Sequence, residues 1–375
     1  IGEDAGSVGP VSLADLRAAN SQLKIVTDAE NDPLTFSVET VLVNGQEVSA
    51  AEAGLTVAAN GAVSFTTLTA VYQALNAGEQ ARVEVIYRAS DGQLSDTGTL
   101  TFTVQGANDA ATISGPATGT VSEDGAPLTV GGTLTVADVD AGQDHFQAPA
   151  ALSGRYGTFT FDETSGAWTY TLDPAKVQGL ALGAQTSDTL TVTSLDGTAQ
   201  QDIVVTITGS NDGPEIVSAA QAGAVIEAGL DASGAARGTA TASGQLLATD
   251  VDDGAQLTWS VVPGASRYGA LTVDASGRWS YVLDEAAANA LRLGEVTSET
   301  FTVRVTDEWG AFAEQTVVIT LTGSNDAPVI VSAAQSGTVI EDETASVAGR
   351  VAATDVDQGA QLSYALAGGA AGAYG

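Results

Sequence analysis

Carboxylates and side-chain amides return at fixed places along this chain. Each of three "N-D" pairs is preceded by a glycine two residues earlier, and the pairs stand at 108–109, 211–212 and 325–326. An Asp-x-Asp motif follows each pair, in "ADVDAG" at 137–142, "TDVDDG" at 249–254 and "TDVDQG" at 354–359. An early glutamate occurs in each repeat, at positions 3, 123, 227 and 341. An aspartate also ends the penultimate strand-like run of each, at 91, 196 and 307.

The chemistry that such a set could perform is the binding of a hard cation. Clustered carboxylates without bases repel each other and raise each other's pKa. Calcium takes about six to eight oxygens from carboxylates, carbonyls and water, whereas magnesium keeps more of its own waters. The recurrence at strand ends therefore favours calcium. A solvated acidic surface is the alternative, and it accounts for scattered glutamates better than for a set that returns in the same order.

The elements that must position these residues are short strands. In "TFTVRVTD" at 300–307, Phe301, Val303 and Val305 fall on one face, which is the alternation of a half-buried strand. "DETSG" at 162–166 and "DASG" at 274–277 predict hairpin turns. Several such strands in about 100 residues predict a β-sandwich. The matching pairs Trp168 and Trp279, and Tyr170 and Tyr281, are predicted to lie in the cores.

The period of the motifs is that of a domain. We place boundaries after each Asn-Asp pair, which predicts β-sandwich domains at 1–109, 110–212 and 213–326 and the start of another at 327–375. "IGEDAG" at 1–6 matches "VSEDGA" at 121–126, so the first domain is expected to lack its opening strand. The final "AYG" begins another copy of the aromatic hairpin, so a truncated end is expected as well. One segment, 284–294, is predicted to contain a turn or two of helix, as is 173–183.

The amino-acid composition excludes several classes of partner and of binding site. The 375 residues include 46 acidic and 12 basic side chains, a net charge of −34, which argues against nucleic acid and anionic membranes as partners. Disorder is disfavoured because 44% of residues are hydrophobic and alternate with polar ones. The chain has no cysteine, which excludes a disulfide scaffold and a thiolate metal site. No apolar run has the length of a membrane-spanning helix.

An enzyme is the first rival interpretation. The single histidine, His145, has no counterpart in the other repeats, and the sequence has no phosphate-binding loop or dinucleotide-binding fingerprint. The carboxylates follow the repeat, and catalysis seldom needs one copy per domain. We therefore predict no catalytic activity. The second rival is a carbohydrate- or protein-binding module of a secreted multidomain protein, which exposed aromatic side chains would favour.

The motifs together resemble a known family. "GSNDAPVI" at 323–330, the early "ED", the "TDVD" motif and the hairpin "RYGALTVDASGRWSYVLD" at 267–284 are similar to the VCBS-type repeats of large bacterial surface adhesins. Those repeats belong to a wider set of cadherin-like, immunoglobulin-like bacterial domains. "TDAENDPLTFSVE" at 27–39 has a more cadherin-like pattern. The resemblance implies tandem immunoglobulin- or cadherin-like β-sandwiches in a linear array.

Cadherin repeats bind calcium between successive domains, so the resemblance also implies which residues meet. At the first junction they are Glu3, Asn108, Asp109, Asp138, Asp140 and Asp196. At the second they are Glu123, Asp173, Asn211, Asp212, Asp250, Asp252 and Asp307. At the third they are Glu227, Asp284, Glu285, Asn325, Asp326, Asp355 and Asp357. The linker departs from the cadherin pattern, with Gly323 or Ser324 and Ala327 where further ligands stand, so one or two ions per junction are expected.

The expected function is that of a stalk, or extender, in an extracellular adhesin used for cell adhesion or biofilm attachment. Calcium is the expected cofactor, and glycans or proteins of a cell surface or matrix are expected partners through other parts of the parent chain. The resemblance implies secretion through a one-step exporter. Pro328 fixes the backbone where the next strand opens, whereas "QGANDAATI" at 105–113 has no proline, so the first junction is expected to be looser.

Overall fold

The structure is a computed structural model that describes residues 2–5, 7–11, 30, 32–58, 62–342 and 346–366. Most of "TDAEND" at 27–32 and all of "AYG" at 373–375 lie outside the described residues. The chain is nearly all-β, with 47% strand and 4% helix, which confirms the predicted fold class. It divides into two compact units, Ile1–Val177 with Gln185–Thr208, and Gln178–Ala184 with Gly209–Gly375. No helix in the described ranges is long and apolar enough to cross a membrane.

The first unit begins with two sheets that enclose one core. Their strands are β1 (Ser7–Val11), β2 (Thr35–Val43), β3 (Gln46–Val48), β4 (Leu55–Val57), β5 (Val63–Thr66), β6 (Gln80–Ser90) and β7 (Ser95–Gln105). The strand orders are β3-β2-β6-β7 and β1-β5-β4. A 3-10 turn, Glu3–Ala5, and a short helix α1, Ala70–Gln73, complete this part. Tyr72, Val83 and Val104 are fully buried between the sheets.

The second part of the same unit repeats the plan. Its strands are β8 (Thr112–Ser114), β9 (Thr118–Ser122), β10 (Thr129–Thr133), β11 (Thr135–Ala137), β12 (Gly157–Phe161), β13 (Ala167–Leu172), β14 (Gln185–Thr193) and β15 (Gln200–Thr208). The sheets have the orders β10-β13-β12, β14-β15-β9 and β11-β8. The early strand β9 runs parallel to the last strand β15. A 3-10 turn, Pro174–Lys176, follows the aromatic hairpin.

The second unit contains a third copy. Its strands are β16 (Glu215–Ile216), β17 (Gln221–Leu230), β18 (Ala236–Thr239), β19 (Thr241–Gln245), β20 (Ala248–Thr249), β21 (Thr258–Val261), β22 (Gly269–Val273), β23 (Arg278–Leu283), β24 (Val296–Thr306), β25 (Phe312–Thr322), β26 (Val329–Ile330) and β27 (Ala353–Thr354). The larger sheets have the orders β18-β17-β25-β24-β21 and β19-β23-β22, and β16-β20 and β26-β27 form short ladders. Here too β17 runs parallel to β25. Helix α2 spans Glu285–Ala288.

The predicted core aromatics are confirmed. Trp168, Tyr170, Trp279 and Tyr281 are each at most 1% exposed. The two predicted hairpins are confirmed as well, and their turns use glycine because the backbone there has a positive φ, 66° at Gly166 and 81° at Gly277. The predicted helical segments are confirmed as α2 and the 3-10 turn Pro174–Lys176.

A carboxylate anchors each of the two aromatic hairpins, and the first of them, Asp188, is buried. Oδ1 of Asp188 accepts the backbone N–H of Arg155 at 2.9 Å. Its Oδ2 accepts the N–H groups of Tyr156 and Gly157 and the hydroxyl of Tyr170, at 2.8–3.0 Å. A charged acceptor with four donors is well satisfied, so Asp188 fixes the "RYG" turn against the core.

Glu299 does the same in the third copy. It accepts the N–H groups of Arg267 and Tyr268 and the hydroxyl of Tyr281, the last at 2.8 Å. The shared "RYG" segments at 155–157 and 267–269 are thus explained by a structural hydrogen-bond clamp.

Candidate metal centre

Three carboxylates converge at the first junction. Glu3 comes from the 3-10 turn at the start of the chain, Asp109 from the segment after β7, and Asp140 from the loop after β11. One carboxylate oxygen of each lies within 4.8 Å of the others. Glu3 is fully buried and Asp140 is 2% exposed. In the described part of the chain, this is the one group of three acidic side chains that meets that distance.

Backbone amides hold one oxygen of Glu3, one of Asp140 and one of the neighbouring Asp138. The N–H of Ala107 donates to Oε1 of Glu3, and the N–H of Asp109 donates to Oδ2 of Asp140 at 2.9 Å. The N–H of Asp140 in turn donates to Oδ1 of Asp138 at 2.9 Å. The linker and the Asp-x-Asp loop are therefore tied together by main-chain donors.

The other oxygen of these three carboxylates, and one oxygen of Asp109, are buried without a hydrogen-bond partner. These atoms are Oε2 of Glu3, Oδ2 of Asp109, Oδ2 of Asp138 and Oδ1 of Asp140. A buried acceptor left without a donor costs about 1–3 kcal/mol, and more when it is charged. Glu3, Asp109 and Asp140 each have one such oxygen and lie together. Sets of oxygen atoms of this kind are the ligands that hard divalent cations take.

The electrostatics agree with this geometry. Burial raises the pKa of Glu3, and the neighbouring carboxylates of Asp140, Asp4 and Asp109 raise it further, against the lowering effect of the Ala107 amide. Burial likewise raises the pKa of Asp140, with Asp138 and Asp109 among the charges that add to it. Each group is thus costly to ionise beside the others, which is the repulsion that a cation offsets.

Asp196, also predicted for this junction, accepts side-chain hydrogen bonds on both oxygens. Asn108 donates from Nδ2 to its Oδ2 at 3.1 Å, and Ser194 donates from its hydroxyl to Oδ1 at 2.6 Å. Burial alone would raise the pKa of Asp196, but these donors and Thr198 outweigh burial and lower it. Both oxygens of Asp196 accept hydrogen bonds, and Oδ2 holds the linker asparagine.

The second unit contains five residues predicted for the second junction. The N–H of Asp212 donates to Oδ2 of Asp252, and the N–H of Asp252 donates to Oδ1 of Asp250, both at 3.0 Å. Nδ2 of Asn211 donates to Oδ2 of Asp307 at 2.9 Å. Burial raises the pKa of Asp252, and Asp250, Glu308 and Asp307 add to that rise.

The remaining two residues of that set belong to the first unit. Glu123 is fully buried, and its N–H donates to the carbonyl of Thr208 at 3.0 Å. Asp173 precedes the 3-10 turn Pro174–Lys176, and its Oδ2 lies 3.6 Å from Nζ of Lys176.

The third junction lies within the second unit. The N–H of Asp326 donates to Oδ2 of Asp357, and the N–H of Asp357 donates to Oδ1 of Asp355, both at 3.0 Å. Oε2 of Glu227 accepts the N–H of Ser324 at 3.1 Å. Buried oxygens without a partner occur again, at Oε1 of Glu227, Oδ2 of Asp326 and Oδ1 of Asp357.

The early glutamate of this junction, Glu227, has a strongly raised pKa. Burial raises the pKa of Glu227 to about 7, with Asp326, Asp357 and Glu285 contributing. Burial also raises the pKa of Asp326, beside Asp357, Asp355 and Glu285. At the first and third junctions, the same residue types thus place buried carboxylates close enough to raise each other's pKa.

The other residues predicted for the third junction organise its backbone. Asp284 caps α2 by accepting the N–H of Ala287 at 3.3 Å, and Oε2 of Glu285 accepts the N–H of Ala228 at 3.1 Å. Asn325 and Leu230 exchange two main-chain hydrogen bonds of 2.8 and 3.0 Å. These contacts join the linker to strand β17.

Sequence reasoning missed the residue before each linker asparagine. Ala107 and Ser324 hold the early glutamates Glu3 and Glu227 through their backbone N–H groups. The contact is made by a main-chain amide in both cases, and at Ser324 the hydroxyl also donates to the carbonyl of Glu227 at 2.8 Å. The usable signal is the fixed distance of this residue from the linker glycine.

Comparison with known proteins adds two findings. No curated protein sequence matches the chain at a significant level. Solved structures that match the chain include mouse cadherin-23 EC22-24, at 13% identity and a TM-score of 0.39 over 80% of this chain and 89% of that one. PcdhgB3 EC1-4 matches at 17% identity and a TM-score of 0.43, over 96% of this chain and 82% of the other.

The family is established by sequence. The family model described as "Bacterial cadherin-like domain" matches residues 108–209 and again 211–323, which together are more than half of the chain. This confirms the cadherin-like resemblance expected from the repeated motifs. The chain belongs to the family of bacterial cadherin-like domains.

Proposed function

We propose that this chain is a stalk segment of an extracellular bacterial adhesin whose repeats are joined by calcium-binding junctions. The observation that carries the proposal is the convergence of Glu3, Asp109 and Asp140, with an unpartnered buried oxygen on each. The recurrence of such oxygens on Glu227, Asp326 and Asp357 supports it. A bound calcium ion would supply the positive charge that offsets the repulsion among these carboxylates.

The residues proposed to hold the ion come from successive predicted repeats. At the first junction Glu3 belongs to the first repeat, Asp109 to the linker, and Asp138 and Asp140 to the second repeat. Sharing ligands in this way would restrict the angle between repeats. Without the ion, a chain of net charge −34 would repel itself at these same places.

The proposal places the chain outside the cell, as expected for its family, where even weak calcium sites fill. Its role there is structural and does not involve catalysis. The domain boundaries at 109, 212 and 326 are part of the proposal. Each folded repeat is then expected to span on the order of 40 Å, from strands of roughly seven to ten residues at about 3.3 Å each with loops and linker.

Thermal unfolding with calcium and with a chelator tests the proposal. A cation bound to the native state alone stabilises it by about 2.7 kcal/mol at a concentration 100 times its Kd. Identical melting in both conditions would contradict calcium binding. Small-angle scattering in the same two buffers tests the stiffening, because the maximum dimension should grow with calcium. An unchanged dimension would leave a calcium site but no rod mechanism.

One observation favours the second candidate, a glycan- or protein-binding module. Trp309 and Phe312, at the β24–β25 hairpin, are 57% and 53% exposed. The guanidinium of Arg304 lies 4.0 Å from the centre of the Phe312 ring. Exposed aromatic rings of this kind can stack on sugars. A glycan array probed with the wild-type chain and with Trp309→Ala separates the two, since binding lost in the variant would support the module.

A further inference from the structure

The glycine of each linker packs against a short turn that precedes it in the chain. We call these segments the seam turns: residues 74–79, 179–184 and 290–295. A Cβ atom on Gly106 would lie 2.3 Å from the carbonyl oxygen of Asn76. On Gly209 it would lie 2.2 Å from that of Leu180, and on Gly323 2.3 Å from that of Arg292. Any side chain at these positions must push the seam turn away, because the obstructing atoms are backbone.

Hydrogen bonds lock each glycine to its seam turn in both directions. The N–H of Gly323 donates to the carbonyl of Glu295 at 2.8 Å, and the N–H of Gly294 donates to the carbonyl of Gly323 at 3.0 Å. Gly209 makes the matching pair with Ala184 and Gly183, at 2.8 and 3.1 Å. The linker glycine and the seam turn are therefore joined by a reciprocal pair of main-chain hydrogen bonds.

The seam turn also contacts the loop that carries the Asp-x-Asp motif. The residue after that motif donates its N–H to a seam-turn carbonyl in all three copies. The pairs are Ala141 to Ala74 at 3.2 Å, Asp253 to Gly179 at 3.0 Å, and Gln358 to Ala290 at 3.3 Å. Each donor directly follows the aspartate whose carboxylate has an unpartnered buried oxygen: Asp140, Asp252 and Asp357.

These contacts form a continuous connection from a glycine to a carboxylate. At the third junction it runs from Gly323 to the seam turn, then to the amide of Gln358, and so to Asp357. We propose that Gly106, Gly209 and Gly323 are positioning residues for the cation site. They allow the seam turn to lie close enough to hold the Asp-x-Asp loop in place before an ion binds. The inference rests on the proposed function for the identity of the ion.

The test uses the full chain with the other junctions silenced. The background carries Asp109→Asn with Asp140→Asn, and Asp250→Asn with Asp252→Asn, so calorimetric titration with calcium reports the third junction. Gly323→Ala is compared with Gly264→Ala, where a Cβ would meet nothing nearer than a carbonyl at 3.9 Å. Disturbing outer groups that orient metal ligands weakens metal binding by about 10- to 100-fold. We expect a loss of that size for Gly323→Ala and none for Gly264→Ala.

A second readout follows the connection itself. In calcium-free protein, the amide of Gln358 should exchange with solvent faster in Gly323→Ala than in Gly264→Ala. Equal calcium affinity and equal exchange in the two variants would overturn the proposal. No calcium binding by the silenced background at all would contradict the calcium function instead. If Gly323→Ala does not fold, Gly106→Ala with the second and third junctions silenced decides by the same criteria.

Discussion

Oδ2 of Asp357 accepts the backbone N–H of Asp326 at 3.0 Å, while its Oδ1 is buried without a partner. Asp140 has the same relation to Asp109, at 2.9 Å. One oxygen of each carboxylate thus ties the linker to the next repeat, and the other oxygen has no hydrogen-bond partner. Because the two oxygens of one side chain differ in this way, a substitution there should have opposite effects on calcium binding and on calcium-free stability.

Asp357→Asn should weaken calcium binding and stabilise the calcium-free protein. The amide oxygen can still accept the Asp326 N–H, but the variant loses one charged ligand, which should lower affinity at that junction by about ten-fold or more. In chelator, the loss of one negative charge relieves repulsion with Glu227 and Asp326. Titration calorimetry and melting in chelator measure the two effects. Glu47→Gln, on an exposed part of β3, is the control and should change neither.

Acid should affect the protein in opposite ways with and without calcium. The pKa of Glu227 is raised from 4.5 to about 7 in the folded state. In chelator its contribution to stability is therefore fully present below pH 4.5 and is lost as the pH rises through about 7. Calcium needs the ionised carboxylate, so its affinity should fall as the pH falls below about 7.

Urea unfolding at pH 5 and pH 8, with calcium and with chelator, measures this reversal. Glu227→Gln should reduce the pH dependence in both conditions, because the titrating group is gone. A pH dependence identical to that of the wild type would assign the effect to other carboxylates.

Tyr170→Phe should destabilise the second repeat without affecting calcium binding. The tyrosine hydroxyl donates to the buried carboxylate of Asp188 at 2.8 Å, and a hydrogen bond to a charged group contributes about 1.5–3 kcal/mol. Chemical denaturation should show a loss of this size. Tyr281→Phe is the matched variant in the third repeat, where Glu299 is the acceptor. A change in calcium affinity in either variant would contradict a purely structural role for the clamp.

Magnesium should not replace calcium. The first junction offers buried carboxylate oxygens from Glu3, Asp109, Asp138 and Asp140, a set rich in protein ligands. Magnesium keeps several of its waters and demands near-octahedral geometry, so it gains less from such a set. Melting in equal concentrations of the two ions should show a shift with calcium and little with magnesium. Equal shifts would indicate a general charge effect.

Much of this arrangement could be predicted from the sequence. The alternation of Phe301, Val303 and Val305 and the paired Trp168 and Trp279 have local or repeated patterns that report burial directly. The acidic positions could be found because they recur. The hydrogen bonds of each carboxylate could not be predicted, since the donors that reach Asp196 and Asp140 come from distant parts of the chain.

Asp188 and Glu299 occupy matching places in the repeat, in "TSDTL" at 186–190 and "TSETF" at 297–301. They stand among the polar residues of β14 and β24, so alternation alone does not show that these acids fix the aromatic hairpins. The role of the linker glycines also depends on distant backbone, since Gly323 contacts Arg292, 31 residues earlier, through the main chain. A repeated glycine signals a constraint, but the sequence does not say which atom imposes it.

The parallel pairing of an early strand with the last strand of a repeat has a mechanical consequence. In the third copy β17 pairs with β25 over six residue positions, from Gln221 opposite Val317 to Ile226 opposite Thr322. Tension applied to the two ends of this repeat would pull these strands in opposite directions along their lengths. Their hydrogen bonds would then be sheared all at once, whereas an antiparallel pair pulled from one end opens one bond at a time. The order in which the strands are joined thus favours a repeat that resists stretching.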